Sequence, residues 1–293
     1  MLFFTLAAAP ASPNQIPVPG GRLDVTIVRH SVEPPDAVLL SWVEKAGRAV
    51  AAYYGSFPVQ RVAVTIHAGG SGSISGGETR GEGGQASIRI SVGEDTTAED
   101  FAANWELVHE MVHLALPSMT GHAWLEEGIA TYVEPLVRAR AGLAPADDIW
   151  KWLLWGAPKG LDGIRNQGLD RSHGWNATYW GGAVYCFLAD VEIRQRTNNR
   201  KSLDDALRGI VKAGGDVRIS WPIERALKAG DQATGVPVLE ELYTKMSNAP
   251  VDADLPGLFR RLGVSGNKNG VTYDDPAPLA AIRKGITTGP AAR

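Results

Sequence analysis

A chain of 293 residues, 44% hydrophobic and 21% charged, has ordinary globular composition and the length for one large domain or two small ones. Its formal net charge of -3 supplies no basic field, which argues against nucleic acid or an anionic membrane surface as the main partner. The single cysteine, Cys186, excludes an intramolecular disulfide framework and a cysteine-based zinc site, and its apolar helical setting reads as core.

The chain starts "MLFFTLAAAPASP", an apolar run at 2–9 followed by small residues and prolines, resembling the end of a secretion signal without its charged beginning. The expectation is a signal-like or disordered lead over 1–19 and a periplasmic or secreted protein, the alternative being a cytoplasmic one. No later segment approaches the roughly 18 uninterrupted apolar residues of a membrane span, so no stable membrane insertion is expected. Alternation and β-branched residues in "RLDVTIVRH" predict a strand over 22–30. "PDAVLLSWVEKAGRAVAAYYG" then has helical spacing and a stop at Gly55. "VQRVAVTIHA" and "QASIRISV" predict two further strands, separated by "GGSGSISGGETRGEGG", which is too rich in glycine to be regular throughout and is expected to form a hairpin or rim loop. From Thr97 onward helical patterns dominate, in "HAWLEEGIATYVEP", "PADDIWKWLLWG", "TYWGGAVYCFLADVEIRQRT", "KSLDDALRGIVKAG" and "PIERALKAG". The division is a β-rich part over 20–96 and a helical part over 97–293, together one catalytic unit.

The chemistry concentrates in "ELVHEMVHLALP", residues 106–117. A capping box at Thr97 and Asp100, or at Thr96 and Glu99, begins the predicted helix, and Pro117 ends it. Residues four apart share a helix face, so His109 and His113 aim at one point, with Glu110 beside it. This is the H-E-x-x-H spacing that holds zinc while the glutamate takes a proton from the activated water. The pattern arises by chance in roughly one chain of this size in a hundred, so a third ligand is required from elsewhere. The next apolar helix offers one: Glu127, directly before Gly128.

These residues, "HEMVH", then "WLEEGIATY", "TYWGGAVYCFLADVEIRQRT" and "KSLDDALRGI", resemble the gluzincin metallopeptidases, nearest to the glycyl aminopeptidase and peptidase-MA-like family. The resemblance covers residues 105–210, more loosely "APLAAIRKGI", and is weak before Thr97. The family's Trp-Leu-x-Glu-Gly motif matches Trp124, Leu125, Glu127 and Gly128, and implies Glu127 rather than Glu126 as the ligand. A family tyrosine in a Tyr-x-Lys-Gly setting donates to the oxyanion. Tyr179 holds that place, with Gly181 where lysine often stands, so the resemblance implies this role; the other reading is a member of an aromatic cluster with Trp175, Trp180 and Tyr185. Thr131, four residues after Glu127, is either a residue that orients a ligand or an ordinary packed threonine. His173 is either a second transition-state donor or a loop histidine, and His30, His67 and His122 read as structural or exposed. The clan's amine-binding Gly-x-Met-Glu segment is matched only by "GGE" at 76–78.

The resemblance implies an α+β gluzincin (zincin) fold, a small N-terminal mixed β-sheet part followed by a mainly helical part with one zinc site (Zn2+) between them. The implied function is a zinc-dependent peptidase, aminopeptidase-like, acting on a peptide or protein substrate. The alternative is a non-catalytic zinc-fold binding or scaffold protein. If 85–92 is the sheet edge, an extended substrate pairs there.

Overall fold

A computed structural model describes residues 13–289, so the signal-like run at 2–9 lies outside the described residues. The N-terminal strands are β1 (Asn14–Val18), β2 (Gly21–Arg29), β3 (Arg61–Ala68), β4 (Ile74–Arg80) and β5 (Ala86–Val92). They form one mixed sheet in the order β1-β2-β3-β5-β4. β2, β3 and β5 are parallel, and β1 and β4 are antiparallel edges. The alternation read from sequence has a physical partner across the ladder. Val62, Val64, Ile66 and Ala68 lie opposite Ala86, Ile88, Ile90 and Val92, and all eight are buried. Helix α1 (Asp36–Tyr54) joins β2 to β3, packs on β1 and β2, and stops at Gly55, whose φ of 83° is left-handed.

One expectation in this half is met and one is corrected. The glycine-rich stretch forms a hairpin, residues 74–80 pairing antiparallel with β5 around a bulge between Ser75 and Glu78. A β-ladder is made by backbone groups, so a strand with few side chains still forms when a neighbour offers its edge. Strand β5 is consequently interior, and the edge available to a partner is β4 rather than residues 85–92.

The rest of the chain is mainly helical: α2 (Ala98–Ala103), α3 (Glu106–His113), α4 (Ala123–Arg140), α5 (Asp147–Ile164), a π-helical turn (Asn176–Gly181) running into α6 (Gly182–Arg196), α7 (Leu203–Lys212), α8 (Ile223–Thr234), α9 (Val238–Met246), α10 (Leu255–Leu262) and α11 (Ala280–Thr288). A hairpin of β6 (Val264–Asn267) and β7 (Gly270–Tyr273) lies between the last two helices. The single helix expected from Thr97 towards Pro117 is two. The Thr97/Asp100 capping box starts α2, but Asn104 leaves helical geometry at ψ 128° and its side chain accepts from the Leu107 amide at 3.2 Å, opening α3. No helix among the described residues is long and apolar enough to cross a membrane.

Two glycines set the spacing of the helices that flank the site. A Cβ on Gly128 of α4 would overlap the backbone of Gly182, and one on Gly182 would overlap the Trp124 carbonyl. The backbones therefore touch where α4 crosses α6. Behind this crossing Asp190, fully buried, accepts from Tyr132 Oη at 2.8 Å, Arg194 Nε at 2.9 Å and the Leu203 amide at 2.9 Å, tying α4, α6 and α7 together. Gly128→Ala is expected to destabilise the protein by about 3 kcal/mol through overpacking, seen as a Tm lowered by several degrees in a thermal melt. An unchanged Tm would mean that the crossing relaxes freely.

Candidate metal centre and active site

One turn of α3 separates His109 from His113, and their rings stand 4.9 Å apart on one face. Helix α4 brings in Glu127, whose Oε2 lies 3.2 Å from His109 Nε2 and 3.5 Å from His113 Nε2. Together the three offer ligand atoms that all lie within 4.8 Å of one another. Tetrahedral ligands about 2.1 Å from an ion are about 3.4 Å apart, so two imidazoles and a carboxylate at these separations fit one zinc-sized cation.

The electrostatics suit that donor set. Burial raises the Glu127 carboxyl, but hydrogen bonds from both imidazoles and their charge bring it down to about 2, so it stays ionised. Burial also holds His109 below the ordinary imidazole value, which favours the neutral form a cation needs. His113 moves the other way: burial opposes its protonation, and Glu127 outweighs it. Glu126 is turned away, its Oε1 accepting from the Met119 amide at 2.7 Å.

Glu110 stands outside the three-residue cluster, against the sheet edge. Its Oε2 accepts from the Thr79 hydroxyl at 2.7 Å, and the same hydroxyl lies 2.9 Å from the Glu110 carbonyl. Gly77 of β4 is so close that a Cβ there would meet Glu110 Cγ at 2.8 Å, so glycine is the residue that lets β4 reach α3. One turn earlier, Glu106 has its carboxyl raised by burial and by Glu110, against a hydrogen bond from the Gly77 amide. Tyr179 reaches the cluster from the π-helical turn. Its ring stacks on His109 at 6.2 Å and under Trp175 at 3.8 Å. Burial, then the charges of Glu127 and Glu110, and a hydrogen bond to Glu127 push its hydroxyl up to about 12. Tyr179 thus sits in an aromatic stack and faces the acidic groups at once. Its neighbour Trp180 points the other way, into Trp152 and Trp155. The departure from the family's lysine has a local reason: a Cβ on Gly181 would come within 2.5 Å of Ile164 Cγ2.

The remaining candidates separate clearly. Thr131 is buried on α4, while His173 is exposed. His122 contacts the Thr120 carbonyl and Tyr243 Oη, both at 3.1 Å, and His30 stacks on His67 away from the cluster. Sequence reasoning did not single out Thr79, Trp105 or Glu106, and it noted Gly77 only within "GGE" at 76–78. For Glu106 the signal was present, since it lies four residues before Glu110 and so on the same helix face. For Thr79 there was none, because its role depends on where β4 lands.

No family model and no curated protein matches the chain. Solved structures do. An aminopeptidase N family protein from Idiomarina loihiensis aligns with TM-score 0.63 at 13% identity, covering 86% of this chain and 49% of that one. The M1 zinc metallopeptidase from Deinococcus radiodurans aligns with TM-score 0.51 at 12% identity, covering 83% and 52%. A mutant of the latter was solved with a Tyr-Ser-Ala substrate, and it aligns with TM-score 0.52 at 12% identity over the same shares of the two chains. The chain spans about half the length of these proteins. Its five-stranded mixed sheet followed by helices is a gluzincin, aminopeptidase-like fold.

Proposed function

We propose that the protein is a zinc-dependent peptidase that hydrolyses peptide bonds, with His109, His113 and Glu127 as metal ligands, Glu110 as general base and Tyr179 as oxyanion donor. The observation that carries this reading is the convergence of His109, His113 and Glu127 within 4.8 Å, with Glu110 and Tyr179 both beside that cluster. Zinc, when bound, supplies Lewis acidity that polarises the scissile carbonyl and acidifies water. Glu110 takes the proton of the attacking water and delivers it to the leaving amine, and Thr79 holds the carboxylate in place for both transfers. The Tyr179 hydroxyl, with a pKa pushed up to about 12, is protonated at neutral pH and donates to the oxyanion as charge develops. The free edge of β4 runs past Glu110, and an extended peptide adds to the sheet there.

The test is elemental analysis of the purified protein together with digestion of a peptide library, short peptides such as Tyr-Ser-Ala included, against a Glu110→Gln control. Stoichiometric zinc and cleavage that the control lacks are expected; a zinc-loaded protein that cleaves nothing sinks the reading. Tyr179→Phe should lower turnover by about a hundredfold while KM and zinc content change little, since the lost hydrogen bond strengthens only in the transition state. Equal loss in KM would instead make Tyr179 a ground-state contact.

A further inference from the structure

We infer that a pocket beside the metal cluster, walled by Trp105, Trp152 and Trp155, is a subsite for an aromatic side chain of the substrate two or three residues from the scissile bond. This rests on the peptidase reading.

The pocket has a volume of about 420 Å³, within the usual range for a ligand site. Its place follows from the two helices that build the metal cluster. Helix α3 gives His109 to the cluster and, one turn earlier, Trp105 to the pocket, with the two rings 5.3 Å apart. Helix α4 gives Glu127 to the cluster and Glu134, two turns later, to the pocket. At 1.5 Å per residue these offsets are about 6 and about 10 Å. An extended peptide advances about 3.4 Å per residue, so the pocket meets a side chain two or three positions from the bond at the metal. The back wall is shared with the oxyanion turn, because Trp180, next to Tyr179, packs against Trp152 at 5.0 Å and Trp155 at 5.6 Å.

The lining selects the occupant. Its charged groups are largely paired with one another, Glu134 with Arg138 at 3.1 Å and Asp148 with Lys151 at 3.0 Å. Arg138 also holds the carbonyls of Ala102 and Ala103. What remains open is indole surface of Trp105 and Trp152, both only partly buried, while Trp155 supports it from behind, stacked on Trp152 at 5.2 Å and covered by Lys159 Nζ at 3.3 Å from its ring centre. Among the described residues Lys268, exposed on the turn between β6 and β7, is the lining charge without an ion pair. A lone lysine repels a cationic side chain and is attracted to the face of an aromatic one. Flat apolar rings fit the Trp105 and Trp152 faces of this surface.

The experiment measures binding of peptides to zinc-loaded Glu110→Gln protein, scanning Phe or Trp against Ala at each position. One position is expected to bind about tenfold or more tighter with an aromatic residue. Adding Trp155→Ala should abolish that preference. Should this variant fail to fold, Ala103→Trp, at an exposed lining position, fills the pocket without cutting the core and should have the same effect. Absence of any aromatic preference, or its survival in the pocket variant that folds, overturns the subsite. The two readings fail differently. Wild-type cleavage without aromatic preference removes the pocket and keeps the peptidase, whereas pocket-dependent binding of peptides that wild type never cleaves removes the peptidase and keeps the pocket.

Discussion

Glu110→Gln is expected to keep zinc bound at wild-type stoichiometry while turnover falls by about 10² to 10⁴-fold. The substitution preserves shape where shape is constrained: Gly77 leaves no room for even a Cβ beside the Glu110 side chain, and glutamine fits the same space as glutamate. It also preserves the hydrogen bond from Thr79, because an amide oxygen accepts from the hydroxyl as a carboxylate oxygen does. The donor atoms that converge belong to His109, His113 and Glu127 and not to Glu110, so nothing in that set changes. What is lost is the ability to take a proton. Zinc content by elemental analysis, a thermal melt and kcat on one fluorogenic peptide decide the matter together. Full turnover with zinc bound would transfer the base role to another group, and Glu106, one turn away with a raised carboxyl pKa, is the first to replace. A protein that binds zinc and never turns over, wild type included, is the scaffold alternative.

How far the sequence reaches can be followed residue by residue. His109 and His113 were legible because a helix imposes its own geometry: four residues make a turn whatever the rest of the chain does. Strands β2, β3 and β5 were legible for the same local reason, since alternation buries one face. The edge strand β4 was not, because its glycines carry no pattern and its pairing is decided by the free edge of β5. Without the position of β4, Thr79 and Gly77 had no visible link to Glu110, and the free sheet edge was sought one strand too far in. The break at Asn104 was hidden by a run of helix-compatible residues on both sides of it. Strand β1, the short helices α9 and α10 and the hairpin β6–β7 carry too few residues for a periodic signal. The tryptophans were visible as a count, but which of them wall a pocket depends on how α5 meets the π-helical turn.

Replacing a metal ligand should have the largest effect of all. Glu127→Ala is expected to weaken zinc binding by more than a hundredfold, since changes to residues that only support ligands already cost about ten- to a hundredfold. Activity should disappear with the metal. His113→Ala should do the same, whereas Glu126→Gln should leave zinc content untouched, because the Glu126 carboxylate serves the Met119 amide and lies outside the cluster. The contrast between adjacent glutamates is the sharp part of the test: loss of zinc in Glu126→Gln with retention in Glu127→Ala would overturn the ligand set. Chelation of the wild type separates metal from fold. Without the ion, Glu127 still lies 3.2 and 3.5 Å from the two imidazoles, so its carboxylate keeps partners and the chelated protein should stay folded. Its Tm should fall by what zinc binding had contributed, and added zinc should restore both Tm and turnover. The Glu127→Ala protein has lost that internal partner as well, which leaves the buried His109 and the half-buried His113 edge-to-face at 4.9 Å without their carboxylate. Its Tm should therefore lie below that of the chelated wild type, and added zinc should not recover it.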